Sequence, residues 1–250
     1  MNRTAVLAIA LLVFPLTSCG GDDNEGSRLT VLAASSLTEV FTDLGTTFEE
    51  EHDEVEVRFS FASSTTLADQ AGQGAPGDVL ATADEASMAI AADADVVAED
   101  PVTFATNELV LVVPAGNPGG VSSFDDLAGT DWVRCADDVP CGRVATELAE
   151  ANGVTAEPAS LEVDVKSVLA KVTAGEADAG LVYRTDARAA GDDVEVIEIP
   201  HAVDHPATYV IAPLSGAGDD ELAAAFVELV LSSEGQKTLA AAGFTVLTTR

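Results

Sequence analysis

The sequence predicts an α/β protein with mainly parallel sheets. Strand-like runs alternate along the chain with amphipathic helical segments, which is the pattern of βαβ units. Two of the predicted strands, 29–34 and 55–61, run directly into hydroxyl-rich turns, AASSLTEV and FASSTTLADQ. Ligands of such folds bind at the carboxyl ends of the strands, so both turns are candidate ligand contacts.

The N-terminal third shows the alternation most clearly. The apolar run 29–34 predicts a strand, and 36–52 predicts a helix with one apolar face. Ser36 and Glu39 have the spacing of a capping box at the start of that helix. The segment 55–61 alternates apolar and polar residues, as a half-buried strand does, and a short helix is expected to follow it.

The remaining elements continue the pattern to the C-terminus. Asp84 is the expected cap of one helix and Gly153 the expected stop of another. The predicted strands are 78–83, 108–114, 131–136, 178–187 (running into a loop), 194–199 and 207–214, and the predicted helices are 84–95, 123–129, 141–153, 163–177 and 220–243.

The N-terminus has the features of an export signal. Arg3 precedes an apolar run that is too short to span a bilayer, and small residues follow it. We therefore interpret 1–18 as a signal peptide. The sequence Leu-Thr-Ser-Cys resembles a bacterial lipobox, which makes Cys19 the lipid-modified first residue and 19–28 a flexible tether. An ordinary secretory signal with an incidental cysteine is the alternative.

The charge balance excludes two classes of partner. Asp and Glu number 43 against 11 Lys and Arg, for a formal net charge of −32. Such a surface repels nucleic acid and anionic lipid headgroups, so the predicted lipid anchor is the expected membrane contact. The acidity itself is typical of a solubility or salt-tolerance trait.

Two cysteines, Cys135 and Cys141, remain after the predicted anchor. An exported protein permits a disulfide between them. A zinc site is the alternative, but the three histidines have no ligand spacing with these cysteines, and no metal-binding cluster is visible. We expect the disulfide.

The paired turns suit an anion. A helix N-terminus presents unpaired N–H groups and a partial positive charge, and a serine there adds a hydroxyl donor. Ser and Thr are also common helix caps, which is the ordinary explanation for one such turn. Enzyme motifs are lacking: no GxSxG frames the serines, and PAGNPGG lacks the Lys-Ser/Thr ending of a phosphate-binding loop.

A series of motifs resembles, in order, those of the molybdate-binding proteins of ABC importers. They are AASSLTEVF, FASSTTLADQ with GAPGDVLATAD, NELVLVVP, VPCG, DVKSVLAKV, AGLVY and the C-terminal SSEGQKTLAAAGF. The resemblance covers 29–248. It implies a two-lobed, Venus-flytrap fold of the type II periplasmic binding proteins, in which a tetrahedral oxyanion is enclosed between the lobes.

The resemblance also implies the ligand contacts. Ser36, Ser64 and Tyr183 would donate from their hydroxyl groups, and Cys141 and Val165 from their backbone N–H groups. Family members usually have alanine where Cys141 stands, which leaves the backbone donor in place. Each residue has an alternative structural role: helix caps for the serines, a disulfide for Cys141, and core packing for Val165 and Tyr183.

We therefore expect a monomeric, lipid-anchored, extracytoplasmic protein that delivers molybdate and tungstate to an ABC permease, without cofactor or catalysis. Lobe one would be 29–106 plus 207–250 and lobe two 107–206, with hinges where the chain crosses. One alternative is the same fold with sulfate or another tetrahedral anion. Others are a secreted serine hydrolase using Ser36 or Ser64, and a ligand-free adhesion or scaffold lipoprotein.

Overall fold

A computed structural model describes residues 27–246. The predicted signal peptide, Cys19 and most of the tether lie outside the described residues. Within them the chain forms two mixed sheets flanked by helices, which confirms the predicted α/β class. No helix in this part of the chain combines the length and apolarity needed to cross a bilayer.

The first sheet combines strands from both ends of the described chain. Its strand order is β11-β4-β10-β3-β1-β2. The strands are β1 Ser27–Ala34, β2 Val55–Ala62, β3 Val79–Thr82, β4 Val102–Asn107, β10 Ala207–Pro213 and β11 Thr245–Val246. The accompanying helices are α1 Thr38–Glu51, α2 Ser64–Gly72, α3 Glu85–Asp93, α7 Asp220–Leu231 and α8 Ser233–Ala242.

The second sheet is built from the middle of the chain. Its strand order is β7-β6-β8-β5-β9. The strands are β5 Leu109–Pro114, β6 Trp132–Cys135, β7 Ser160–Glu162, β8 Ala179–Tyr183 and β9 Val194–Ile197, and the helices are α4 Pro140–Asn152, α5 Val165–Thr173 and α6 Arg184–Ala190. The chain passes between the sheets at 107–109 and again at 197–207.

The sheets are less parallel than predicted. β1 pairs in parallel with β2 and β3, and β6 with β7 and β8, but the other pairings are antiparallel. The cause is the crossing of the chain between the sheets. The chain enters β5 and β10 from the other sheet, so both strands start at the edge where their neighbours end. Each of them is therefore antiparallel to both of its neighbours in the sheet.

The apolar faces of the helices close the core. Each sheet with its helices forms one half of the protein. In the first half, α1 and α7 bring Phe41 and Phe226 together with ring centroids 5.8 Å apart, and both rings are fully buried. In the second half, Trp132 is buried at the start of β6, and the β5 run LVLVV is buried throughout. Continuous apolar strands of this kind require cover on both faces, which the helices supply.

Several local predictions were wrong. The capping box does not form: a 3₁₀ turn, Ser35–Leu37, precedes α1, and no side chain caps either element. Ser36 and Glu39 instead bond to partners far away in the chain, as described below. The predicted loop after β8 is the helix α6, and the strands β4, β7 and β11 were not predicted. The caps Asp84 and Gly153 are confirmed.

Candidate functional site

A small cavity lies where the two sheets face each other. It is lined by ends of strands and starts of helices from both halves: Ala34, Ser35, Ala62, Ser63, Ser64, Ala83, Pro140, Cys141, Asp164, Val165 and Tyr183. Its volume is only ≈ 10 Å³, so it suits a compact occupant. No Lys or Arg side chain lines it.

Three helices begin at this cavity. Ser64 is the first residue of α2, Val165 the first of α5, and Cys141 follows the first residue of α4. Neighbouring residues already satisfy part of the first turn of α2 and α5: Ser63 accepts from Thr66 N at 3.2 Å, and Asp164 from Ser167 N at 2.8 Å. Because the first N–H groups of a helix have no partner within it, three partial positive charges meet here.

Tyr183 supplies a further donor. It ends β8, its side chain is 1% exposed, and its hydroxyl is buried without a hydrogen-bond partner in the described part of the protein. Burial raises the pKa of Tyr183 well above its ordinary value, so the hydroxyl keeps its proton. A buried hydroxyl without an acceptor is costly, and a polar ligand in the cavity would satisfy it.

Ser64 is held in place by the backbone. Its Oγ accepts a hydrogen bond from Ala83 N at 2.9 Å, which ties the start of α2 to the end of β3. The serine is 1% exposed. Since a hydroxyl accepts through oxygen and donates through hydrogen, Ser64 still has its own proton to donate into the cavity.

Ser36 is placed differently from the other predicted contacts. Its Oγ lies 2.7 Å from the hydroxyl of Tyr209 on β10, and its side chain borders another, larger cleft. Ser35, its neighbour, lines the small cavity instead. The structure therefore brings Ser64, Cys141, Val165 and Tyr183 around one cavity and sets the Ser36 side chain behind it.

The predicted disulfide is confirmed. Cys135 at the end of β6 is bonded to Cys141 in the first turn of α4, with Cα atoms 5.7 Å apart. Gly142 fits this tight turn because a Cβ there would come within 1.7 Å of the Ala136 carbonyl oxygen. The bridge and the glycine together fix the position of the Cys141 backbone at the cavity wall.

Two cations join the halves beside the cavity, and sequence reasoning missed both roles. Arg143 of α4 donates from Nε to Asp84 Oδ2 at 2.7 Å. Lys166 of α5 contacts Glu39 Oε1 of α1 at 2.7 Å and the buried Asp186 of α6 at 2.9 Å.

The Lys166 cluster shifts two pKa values. Burial raises the pKa of Asp186 to about 6, although the nearby ammonium of Lys166 opposes that shift. Burial disfavours the charge of Lys166, but Asp186 and Glu39 outweigh it and raise the pKa of Lys166. Lys166 therefore remains charged while it bridges the halves. Among the described residues no His, Cys, Asp and Glu cluster is arranged to hold a metal ion.

Known proteins are similar to this chain in sequence and in fold. A sequence model of the family described as bacterial extracellular solute-binding protein matches residues 29–245. The molybdate-binding protein ModA of Mycobacterium bovis is 39% identical over 249 residues, covering 95% of each chain.

Two solved structures show the same fold. The periplasmic molybdate-binding protein of Azotobacter vinelandii has a TM-score of 0.78 at 21% identity, covering 88% of this chain and 100% of that one. The sulfate-binding protein SubI of Mycobacterium tuberculosis has a TM-score of 0.78 at 18% identity, covering 89% and 88%.

Proposed function

The chain belongs to the bacterial extracellular solute-binding protein family, and we propose that within it this protein captures molybdate for delivery to an ABC permease. The relative that is 39% identical over nearly the whole chain carries the name of a molybdate-binding protein, which supports this ligand. The protein is an extracytoplasmic solute-binding protein, and the oxyanion is its cargo.

The unpartnered Tyr183 hydroxyl carries the proposal. It borders a cavity whose other donors are the N–H groups of three helix starts and the proton of Ser64. A tetrahedral oxyanion offers acceptor oxygens in several directions and no hydrogen to donate, so it matches a wall of donors. Ser64, Cys141, Val165 and Tyr183 are the proposed contacts. Ser36 completes the set if its hydroxyl turns from Tyr209 towards the ligand.

Neutral donors explain how a protein this acidic holds a dianion. Dipoles fixed around a buried cavity act strongly at short range, where no counter-charge is required. Asp164 lines the cavity too, but its carboxylate accepts from Ser167 N at 2.8 Å and serves as the cap of α5. Solute selection would then follow from the size and geometry of the cavity.

The other functions have less support. The sulfate-binding relative shares the fold at low identity, so its likeness concerns architecture alone. A serine hydrolase requires a general base beside its nucleophile. In the described part of the protein the histidines contact Phe48, Asp204 and Glu147, and neither Ser36 nor Ser64 contacts a histidine. We propose that the protein has no catalytic step and no cofactor.

The finer features belong to the same proposal. Lobe one would comprise 29–106 and 207–250 and lobe two 107–206, opening at the two crossings of the chain. Cys19 would carry the lipid anchor, behind a signal peptide of residues 1–18. The protein would act as a monomer, would also accept tungstate, and would bind a permease as its partner.

Calorimetry tests the ligand directly. The folded protein without its leader is titrated with molybdate, tungstate, sulfate and phosphate, and thermal unfolding is followed in parallel, because a ligand of the native state raises its stability. We expect saturable one-to-one binding of molybdate and tungstate and much weaker binding of sulfate. Tighter binding of sulfate than of molybdate would replace the proposed ligand, and binding of neither would reject it.

A further inference from the structure

We propose that the protein has a second binding site, for a small organic carboxylate with an apolar body, in a cleft on the far side of Ser36. The cleft lies between α1, α6 and α8 and has a volume of ≈ 690 Å³. This volume lies in the usual range for small-molecule sites and far exceeds that of the oxyanion cavity. The site is independent of the proposed oxyanion cargo.

The first argument is the distribution of unpaired cations. Arg3 and Arg250 lie outside the described residues, and of the other nine Lys and Arg side chains seven form ion pairs. The two without an ion pair in the described residues are Arg188 and Lys237, and both line this cleft. In a chain with 43 carboxylates, two unpaired cations facing one space point to an external anion.

The floor of the cleft supplies a hydroxyl donor. Thr185 Oγ1 accepts a hydrogen bond from Asn107 Nδ2 at 2.8 Å and donates to no protein acceptor in the described residues. Thr185 is buried and lies one turn before Arg188 on α6, so both face the cleft together. Lys237 of α8 forms part of the opposite wall. A carboxylate between these walls would receive donors from both halves of the protein.

The remaining walls of the cleft are mostly apolar, which favours a ligand with an apolar body. Val40 and Phe244 are buried at the cleft, and Ala189, Ala241 and Ala242 add apolar surface. Small residues leave room for a flat or branched group against the Phe244 ring. Of the two carboxylates in the lining, Glu39 is paired with Lys166, and Asp43 is exposed without an ion pair. Because water screens the exposed carboxylate of Asp43, it repels a bound anion only weakly.

Phenylacetate is the probe, and phenylacetamide is its neutral isostere. Each is titrated into the isotopically labelled protein with and without saturating molybdate, and amide chemical shifts locate the binding. We expect saturable binding of phenylacetate in the millimolar range typical of so small a ligand, with shifts confined to α1, α6 and α8. Phenylacetamide should bind more weakly. The titration without molybdate keeps this result separate from the oxyanion proposal.

Variants of opposite expected effect complete the test. Arg188→Gln and Lys237→Gln should each raise the Kd of phenylacetate by about three- to tenfold, because each removes a charged donor. Asp43→Asn should lower it by about twofold, because it removes a repelling charge. Arg58→Gln, at an exposed cation paired with Glu56 on β2, is the matched control and should leave the Kd unchanged.

The proposal would be overturned by the absence of saturable phenylacetate binding, by equal binding of the amide, or by an equal loss of affinity in the Arg58→Gln control. Shifts centred on Tyr183 without molybdate that vanish when molybdate is added would assign the probe to the oxyanion cavity and also reject the second site.

Discussion

Arg143 and Asp84 join the two halves of the protein through a hydrogen bond of 2.7 Å from Nε to Oδ2. Asp84 is also the N-cap of α3, where its Oδ1 accepts from Ser87 N at 2.9 Å. The same guanidinium donates to Ser87 Oγ at 3.0 Å. The arginine of one half is therefore bound to a helix start of the other, directly beside the candidate oxyanion cavity.

Arg143→Gln should speed the release of the bound oxyanion. Loss of the cross-half ion pair favours opening, so we expect the Kd for molybdate to rise about tenfold, chiefly through a faster dissociation rate. Stopped-flow displacement with tungstate measures the rate. Lys171→Gln is the control, because Lys171 pairs with Glu162 at 2.6 Å within the second half. Equal dissociation rates in wild type and Arg143→Gln would contradict this role.

Tyr183→Phe should separate binding from stability. The variant loses a hydroxyl that has no partner in the ligand-free protein, so its free energy of unfolding should stay the same or rise. Its affinity for the oxyanion should fall by about 1.5–3 kcal/mol, the range for a hydrogen bond to a charged group. Urea unfolding and calorimetry measure the two effects.

Tyr209→Phe is the matched control for Tyr183→Phe. It removes a hydroxyl that lies 2.7 Å from Ser36 Oγ, so it should destabilise the protein by about 1 kcal/mol. A destabilised Tyr183→Phe with unchanged affinity would mean that the Tyr183 hydroxyl has a structural role only.

The Cys135–Cys141 bridge should contribute modest stability. It closes a loop with a sequence separation of 6, for which the loop-entropy relation gives about 2 kcal/mol. The double variant Cys135→Ala, Cys141→Ala should lose about that free energy of unfolding and should bind molybdate more weakly, because the Cys141 N–H is less well fixed. Urea unfolding of wild type under reducing conditions is the independent comparison. A double variant as stable as the oxidised protein would contradict the estimate.

Asp186 should give the stability a specific pH dependence. Burial raises its pKa from 3.8 to about 6, so between these values the folded protein binds more protons than the unfolded chain. The stability contributed by this carboxyl is therefore greatest at the acidic end of that range, falls as the pH rises, and is constant above it.

Asp186→Asn removes this titration. The unfolding free energy of wild type minus that of the variant should decrease by on the order of 2–3 kcal/mol from pH 4 to pH 7. Urea unfolding at several pH values measures the difference, in which the many surface carboxylates cancel. A difference that is constant with pH would show that Asp186 keeps its ordinary pKa.

The site residues could be named from the sequence because short motifs resemble those of a known family. Ser64, Cys141 and Val165 lie at helix starts and Tyr183 at a strand end, and each belongs to one of those motifs. These four surround one cavity. The ion pair of Arg143 with Asp84 joins residues 59 positions apart, and nothing local in the sequence points to it.

Contacts between residues far apart in the sequence also explain why the predicted capping box does not form. Ser36 and Glu39 have the local spacing, but Tyr209 and Lys166 bind them instead, from 173 and 127 positions away. The helix α6 was missed because RTDARAA has no apolar periodicity: its buried residues include the charged Asp186, which is paired with Lys166. The strands β7 and β11 are only three and two residues long, and each is set by its neighbour in the sheet.

The position of β10 between β3 and β4 has a consequence for biosynthesis. All five strands of the second sheet lie between Leu109 and Ile197, so that half can assemble as soon as its own segment has been made. The first sheet cannot, because the gap between β3 and β4 is filled by a strand that starts 100 positions after β4 ends. The nascent first half must stay incomplete, with unpaired strand edges, until the chain returns, and this is the interval in which a chaperone would protect it.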